Sequence, residues 1–275
     1  MAKRSQEILE QIGSTCIPRM NDLTVPILTI TNERICHNRT GVLYRIGDRH
    51  FVLTAAHKLR AKVENNTPLY VSVNAENVDP IPLAGATFVS SDGDERDVAA
   101  IYLPPDLAQE IGKNKTFLRH HQISHESIQR RTPYVIFGYP GDWSGHVIAE
   151  KHIMSMGMAF ATFEHEGEID TDFAYRPEVH LAVTFTRDAI KAIDGQKDKL
   201  PKPLGVSGCG IWQVADRNEN GIRVRTADTM TLMGIQHNWS PRYGYVLATK
   251  IGYLLAIINQ QFPDTAELMR LIYKA

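Results

Sequence analysis

The chain has 275 residues, of which 43% are hydrophobic and 22% are charged, a composition that predicts a packed globular core and excludes a disordered chain. Its formal net charge of -1 offers no basic field to a phosphate backbone, so we expect no nucleic-acid partner. No segment reaches the roughly 20 consecutive apolar residues of a membrane-spanning helix, so we expect no membrane association.

The first predicted element is a short N-terminal helix. In SQEILEQI, residues 5–12, the side chains of Ile8, Leu9 and Ile12 lie on one face at helical spacing, behind Ser5 as a candidate N-cap.

The central part of the chain is a succession of short runs rich in Val, Ile, Thr and aromatic residues, separated by Gly, Pro, Asn and Asp. The runs are TVPILTI, GVLYRIG, HFVLTA, LYVSV, ATFVS, VAAIYL, YVIFGY, HLAVTF, CGIWQV, LMGIQH and YVLATKI. Many short strands with almost no helices between them predict an all-β sandwich or barrel. A parallel α/β sheet is disfavoured because it needs crossover helices, which the sequence does not indicate.

Helical periodicity returns at the end of the chain. The segments IGYLLAIINQQF and TAELMRLIYK flank Pro263, which predicts a helix, a break and a second helix. We expect both to pack on the barrel, with a docking surface as the alternative. The polar stretch 188–204 is predicted to be a long exposed loop.

Cysteine usage bears on the compartment. The chain has an odd number of cysteines, with no paired spacing, namely Cys16, Cys36 and Cys209. This argues against a disulfide framework. The start, MAKRSQEILEQI, lacks the apolar region of a signal peptide. We therefore expect a reducing compartment, the cytoplasm.

Two segments supply a candidate base and a candidate acid. LTAAH, residues 53–57, ends a predicted strand in two alanines and His57, leaving room for a carboxylate at one ring nitrogen. DERDVAAIYL, residues 94–103, leads into a buried strand, so Asp97 lies at the edge of a core and needs a partner. Asp94 and Glu95 are competing acids further into the loop. Each segment alone is typical of structural residues as well.

The third segment is LGVSGCGIW, residues 204–212, in which Gly205, Gly208 and Gly210 surround Ser207. Glycines permit positive φ and close backbone approach, which two converging N–H groups need in order to hold an oxyanion. The alternative is a glycine-rich turn with an incidental serine. Cys209 is a competing nucleophile, but the glycines centre on Ser207 and we predict Cys209 to be a small buried residue.

The order His57, Asp97, Ser207 in an all-β chain is that of one of the known serine-protease triads. With these residues the sequence resembles the trypsin-like (chymotrypsin-fold) serine peptidases, and the compact bacterial members in particular. The segments that carry the resemblance are TAAH at 54–57, DVAAI at 97–101, YVIFGYP at 134–140, GVSGCG at 205–210, LMGIQHNW at 232–239 and GYVLATKI at 244–251.

The resemblance implies a fold of two six-stranded antiparallel β-barrels, with a short N-terminal helix and C-terminal helices. The corresponding divisions of the chain are an N-terminal helical segment (1–21), a first barrel (22–130), a second barrel (131–255) and a C-terminal helix (256–275). The first barrel would supply His57 and Asp97, and the second Ser207.

The resemblance also implies a serine endopeptidase that acts on protein or peptide substrates, with no metal and no other cofactor. His57, Asp97 and Ser207 would be the catalytic triad, and the N–H groups of Gly205 and Ser207 the oxyanion hole. The residues expected to bind substrate are Pro201, Gln236, His237, Asn238, Trp239 and Gly244.

Several positions depart from the family pattern. Val206 stands where digestive members have the acid that captures a newly cut N-terminal ammonium, so activation by N-terminal cleavage is not expected. Lys58 replaces a disulfide cysteine. Pro201 disfavours specificity for Arg or Lys, and His237 either binds an acidic or amide side chain or packs on the pocket wall. We expect a site that forms constitutively or under a regulatory protein partner. The alternative function is a pseudopeptidase that only binds a peptide or protein.

Two further polar segments are predicted to be solvated. His121 and His125 have a spacing that suits a metal, but no third ligand is evident. The acidic segment EHEGEIDTD, residues 164–172, lacks the spacing of a calcium loop.

Overall fold

The computed structural model describes residues 12–31, 34–73, 80–90, 96–124, 132–147, 152–171, 173–185, 202–219 and 222–274. Most of the predicted N-terminal helix therefore lies outside the described residues. The described chain begins with a π-helical turn, Ile12–Cys16, followed by helix α1, Ile17–Asp22. Met20 of α1 is fully buried, so this segment belongs to the core.

The first sheet is built by the N-terminal half of the chain. Its strands are β1 (Thr24–Thr31), β2 (Arg34–Ile46), β3 (Arg49–Ala55), β4 (Leu69–Val71), β5 (Ile81–Pro82), β6 (Thr87–Ser90), β7 (Val98–Leu103) and β8 (Leu118–Arg119). They lie in the order β5-β4-β1-β2-β3-β7-β6, and β8 pairs with β2. All pairings are antiparallel except that of β8, which is parallel.

The second sheet has six strands, in the order β12-β9-β14-β17-β18-β13. The strands of this half of the chain are β9 (Tyr134–Gly138), β10 (Ser144–Val147), β11 (His152–Ser155), β12 (Met158–Thr162), β13 (His180–Thr184), β14 (Gly210–Val214), β15 (Arg217–Glu219), β16 (Ile222–Val224), β17 (Met230–Ser240) and β18 (Tyr245–Lys250). Strands β10 and β11 form a separate ribbon, as do β15 and β16.

The two sheets share one apolar core. Tyr44 and Phe51 from the first sheet belong to the same buried cluster as Phe137, Trp212 and Leu232 from the second. All five residues of β9 and all five of β14 are buried, as expected for strands covered on both faces. Residues at the junction between the sheets are therefore fixed by packing from both sides.

Four further α-helices connect or flank the sheets. They are α2 (Leu59–Glu64), α3 (Pro105–Gly112), α4 (Ile251–Gln261) and α5 (Asp264–Lys274). The predicted pair of C-terminal helices around Pro263 is confirmed. Arg49 of β3 pairs with Asp264 at 2.8 Å and ties α5 to the first sheet. None of the described helices is long and apolar enough to cross a bilayer.

The all-β architecture of two antiparallel sheets is confirmed, with one difference in strand count. The first sheet has eight strands where six were expected, because the two-residue strands β5 and β8 extend it. Such short pairings leave no period-2 pattern in the sequence, so only the structure identifies them.

Candidate active site

His57 and Asp97 are brought together by the pairing of β3 with β7. The register places Ala55, the last residue of β3, opposite Val98, the first residue of β7. Ala56, which follows β3, therefore lies beside Asp97, which precedes β7, and its N–H donates to Asp97 O at 3.1 Å. His57 Nδ1 is 2.6 Å from Asp97 Oδ2, and the His57 backbone N–H donates to Oδ1 at 2.6 Å. The competing acids, Asp94 and Glu95, lie outside the described residues.

This two-point contact sets the chemistry of the imidazole. A carboxylate only accepts hydrogen bonds, so the ring proton of a neutral His57 is on Nδ1 and Nε2 carries the lone pair. The His57 side chain is 34% exposed and that of Asp97 is 13% exposed. An accessible basic nitrogen backed by a shielded carboxylate is the arrangement that general-base catalysis requires.

A buried arginine lies beneath this pair. Arg39 of β2 is 2% exposed, and its guanidinium donates to the carbonyl oxygens of Ala55 and His57. Burial lowers the pKa of Arg39 to about 10, and the charge of Asp97 opposes that shift. The group is therefore cationic at neutral pH and holds the backbone on both sides of Ala56.

Ser207 lies in a turn that depends on glycine. Gly205 and Gly208 have φ values of 87° and 93°, a region that residues with a side chain rarely adopt. A Cβ on Gly208 would lie 2.1 Å from Thr40 O, and one on Gly205 would lie 2.6 Å from the His37 ring. The close backbone approach expected from the sequence is therefore present at both positions.

Strand β2 holds this turn against the first sheet. Thr40 N–H donates to Ser207 O at 3.0 Å. Gly205 O accepts two hydrogen bonds, from His37 Nε2 at 3.0 Å and from Thr40 Oγ1 at 3.2 Å. Thr54 Oγ1, three residues before His57, donates to Thr40 O at 2.7 Å. The serine turn and the His57 turn are thus both attached to Thr40.

The N–H groups of the serine turn divide into two sets. Those of Val206, Gly208 and Cys209 donate to Pro203 O, Gln236 O and Val206 O. Those of Gly205 and Ser207 donate to no acceptor within the part of the chain that the structure describes. The two open donors are the pair that the resemblance assigned to an oxyanion. Among the described residues, no hydrogen bond joins Ser207 Oγ to His57.

Val206 and Cys209 anchor the serine turn in the second sheet. Val206 is 1% exposed and Cys209 is fully buried, and both belong to the apolar core of the second sheet. Burial raises the pKa of the Cys209 thiol well above its usual range. A thiol in that state forms no thiolate at neutral pH, so Ser207, which is partly exposed, is the better candidate nucleophile.

Comparison with known proteins bears on the fold. No protein-family model and no curated protein matches the chain. A scabies mite inactivated protease paralogue matches with a TM-score of 0.51 and 11% identity, over 90% of this chain and 94% of that one. A Glu endopeptidase matches with a TM-score of 0.47 and 16% identity, over 86% and 89% of the two chains. A serine endoprotease from Yersinia pestis matches with a TM-score of 0.48 and 14% identity, over 92% and 65%.

The chain has the chymotrypsin fold. At these identities the likeness concerns the fold alone, and at that level the predicted resemblance is confirmed. Three residues of this site had no signal in the sequence, namely His37, Arg39 and Thr40. Their roles depend on contacts across β2 with segments far along the chain.

The predicted substrate strand is the end of β17. Its pairing with β14 ends at Ile235 opposite Gly210, whereas its pairing with β18 continues to Ser240. Beyond Gln236, one edge of β17 is therefore unpaired within the described residues. Trp239 is partly exposed, whereas the Gln236 side chain is buried and donates to Asn238 O at 2.9 Å.

The remaining predicted residues lie in different surroundings. Gly244, with a φ of 68°, is in the turn between β17 and β18. Pro201 and His125 lie outside the described residues. The His237 ring is 8% exposed and lies against Asp97, with Nδ1 3.6 Å from Oδ2. Within the described ranges, no group of three His, Cys, Asp or Glu side chains could hold a metal ion.

Proposed function

We propose that this protein is a serine endopeptidase in which Ser207 is the nucleophile, His57 the general base and Asp97 the group that orients the base. The observation that supports it most is the pair of open N–H groups at Gly205 and Ser207, in a turn that Thr40 connects to the His57 turn. Two N–H groups with no acceptor among the described residues, in a turn connected to a histidine paired with a carboxylate, suit acyl transfer.

The proposed reaction proceeds in two halves. His57 Nε2 takes the proton of the Ser207 hydroxyl as Oγ attacks the scissile carbonyl carbon, and the carbonyl oxygen becomes an oxyanion bound by the two N–H groups. The C–N bond then breaks, and His57 gives the proton to the leaving amine. Water repeats the sequence on the acyl-enzyme and regenerates Ser207, while Asp97 stabilises the transient imidazolium.

The substrate in this proposal is an extended segment of a protein or peptide. The edge of β17 at Asn238 and Trp239 would accept it as an added strand, and its main chain would replace the side chains that bind Asn238 O and Trp239 N–H. The fold positions this edge directly after Gln236, whose carbonyl binds Gly208 N–H at 2.7 Å. The scissile bond would then lie beside Ser207.

The proposed activity needs no newly cut N-terminus. In this chain the serine turn is anchored by the burial of Val206 and by the donors of His37 and Thr40 on Gly205 O. None of these contacts involves an α-amino group. We therefore propose that the oxyanion turn is ordered without proteolytic activation.

A fluorophosphonate probe tests the proposal because it phosphonylates only a serine activated by its surroundings. Wild type is expected to gain one adduct on Ser207, seen by peptide mass mapping, and Ser207→Ala is expected to gain none. Ser240→Ala, which removes a buried hydroxyl from the same strand as Trp239, is the matched control and is expected to label normally.

The alternative function, a pseudopeptidase, predicts a different pattern. Folded wild type would then remain unlabelled, with or without cell lysate, although it would still bind extended peptides. Labelling that appears only after lysate is added would support control by a partner protein. Absence of any Ser207 adduct under both conditions would refute the proposed hydrolysis.

A further inference from the structure

His237 occupies a β-bulge in the strand that adjoins the candidate active site. In the pairing of β17 with β18, Gln236 is opposite Ala248 and Asn238 is opposite Leu247, so His237 has no partner residue. A bulge changes the direction in which a side chain points relative to its neighbours. Here it brings the imidazole of His237 to Asp97.

The contact places two imidazoles on one carboxylate oxygen. Asp97 Oδ2 is 2.6 Å from His57 Nδ1 and 3.6 Å from His237 Nδ1. Asp97 Oδ1 accepts the His57 backbone N–H. The His237 side chain is only 7% exposed. Its ring centroid is 5.8 Å from that of His180, the other imidazole packed against it.

The charge state of His237 follows from its surroundings. Burial lowers its pKa to about 4, Asp97 opposes the shift, and His180 and His57 add to it. Among the described residues, Arg39 is a further ionic group that interacts with Asp97. The ring is therefore neutral at neutral pH and carries a single N–H.

The position of that N–H follows from electrostatics, because the 3.6 Å between Nδ1 and Asp97 Oδ2 is longer than a hydrogen bond. Nδ1 faces a carboxylate oxygen, whereas Nε2 is buried with no hydrogen-bond partner in the described part of the chain. A lone pair directed at a carboxylate is repelled, so the proton belongs on Nδ1. A neutral donor is thereby aimed at the carboxylate that orients His57.

We propose that His237 is a positioning residue whose imidazole holds Asp97 Oδ2 in line with His57 Nδ1. This inference rests on the proposed peptidase function and assigns the sequence-predicted substrate residue a different task. Asp97 itself has a positive φ of 39°, a strained conformation for a residue with a side chain. A second contact on Oδ2 restricts the rotation of the carboxylate in this conformation.

The test uses His237→Leu, which removes the donor, and His237→Gln, which restores an N–H. The matched control is His120→Leu, because His120 is also a buried imidazole, at 4% exposure, but hydrogen-bonds Tyr44 away from the site. We expect the fluorophosphonate labelling rate to fall about ten- to a hundredfold in His237→Leu. His237→Gln should recover most of it, and His120→Leu should keep the wild-type rate.

Proton NMR of the His57 Nδ1–H supplies a readout that does not require activity. The downfield signal of this proton should be lost or displaced in His237→Leu and retained in His237→Gln and His120→Leu. If wild type is not labelled at Ser207, the peptidase proposal fails, while the NMR signal still tests His237. An unchanged signal and an unchanged labelling rate in folded His237→Leu would overturn the inference.

A measurement on wild type covers the case in which His237→Leu does not fold. Nitrogen-15 correlation spectra distinguish the two neutral tautomers of a histidine ring. The Nδ1–H tautomer is expected for His237 at neutral pH. The Nε2–H tautomer, or a protonated ring, would contradict the donor role.

Discussion

Gly208 is the position at which a single added methyl group should disturb the site most. Its φ of 93° lies in the left-handed region, where an L-residue costs about 1–2 kcal/mol. A Cβ would also lie 2.1 Å from Thr40 O and 2.2 Å from Thr54 Oγ1. Relieving such overlaps costs a further 1–3 kcal/mol or so. We therefore expect Gly208→Ala to lower the free energy of unfolding by about 2–5 kcal/mol.

Activity should fall further than stability. Thr40 is the residue that must move, and its N–H and hydroxyl bind the carbonyls of Ser207 and Gly205. A displacement of about 1 Å at a reacting group can reduce a rate about a hundredfold. The labelling rate of folded Gly208→Ala with a fluorophosphonate measures this loss.

Gly112→Ala is the matched control in urea denaturation. Gly112 ends helix α3, and outside the helix backbone the nearest neighbour of an added Cβ would be Phe117, at 3.9 Å. We expect its unfolding free energy to stay within about 0.5 kcal/mol of wild type. Equal unfolding free energies for Gly208→Ala and Gly112→Ala would refute the packing argument for the serine turn.

Three other predictions concern the stability of variants in which a buried polar side chain is replaced. Arg39→Met should lower the free energy of unfolding by about 3 kcal/mol in urea denaturation, because the buried carbonyl of Ala55 and the partly buried carbonyl of His57 both lose their donor. The pKa of His237 is lowered from 6.5 to about 4, so the unfolded chain binds more protons between these values. The contribution of His237 to the free energy of unfolding is present above pH 6.5 and is lost as the pH falls through 4, a loss of about 3 kcal/mol. The melting temperature of His237→Gln should therefore vary less with pH over that range than that of wild type. Tyr139→Phe removes the hydroxyl that donates to Asn21 at 2.8 Å and should cost about 1 kcal/mol in urea denaturation.

Two of these changes have an internal comparison. Asn38→Ala alters the neighbour of Arg39 on β2, but its amide donates to Thr29 and Cys36 away from the site, so only a small loss is expected. Wild type and His237→Gln share every carboxylate, so the difference between their pH curves isolates His237. If the stability of the two proteins changed with pH in the same way, His237 would not be a neutral buried imidazole. A Tyr139→Phe variant as stable as wild type would indicate that the hydroxyl is compensated by solvent.

Local patterns in the sequence were sufficient to predict the class of fold and the C-terminal helices. Alternating and continuous apolar runs predict strands because side chains repeat every two residues, and the segments around Pro263 repeat at the helical period. His57 and Asp97 were also predictable from the sequence, because each lies within two residues of a strong strand signal. The register of β3 with β7 then brings them to 2.6 Å.

The residues that support the site were not predictable in this way. Arg39 reads as a surface residue in RICHNRTGVLYRI, since arginine is almost never fully buried without partners. Its partners are backbone carbonyls, and carbonyls leave no trace in the residue types of a sequence. The position of His237 depends on a one-residue slip between β17 and β18, and a slip of that size reverses which face a side chain occupies.

In the proposed peptidase, the attachment of the serine turn to β2 would take the place of an acid at position 206. An ion pair to a chain end would fix the turn from one side only and would vary with the ionisation of the α-amino group. Here Gly205 O and Ser207 O are both bound by residues of β2, and Val206 is buried in the second sheet. The turn is therefore held from both sheets at once, so its conformation depends on the packing of the two sheets against each other. Substitutions at Phe137 or Trp212, which belong to the core that both sheets share, should consequently change the rate at which a fluorophosphonate labels Ser207.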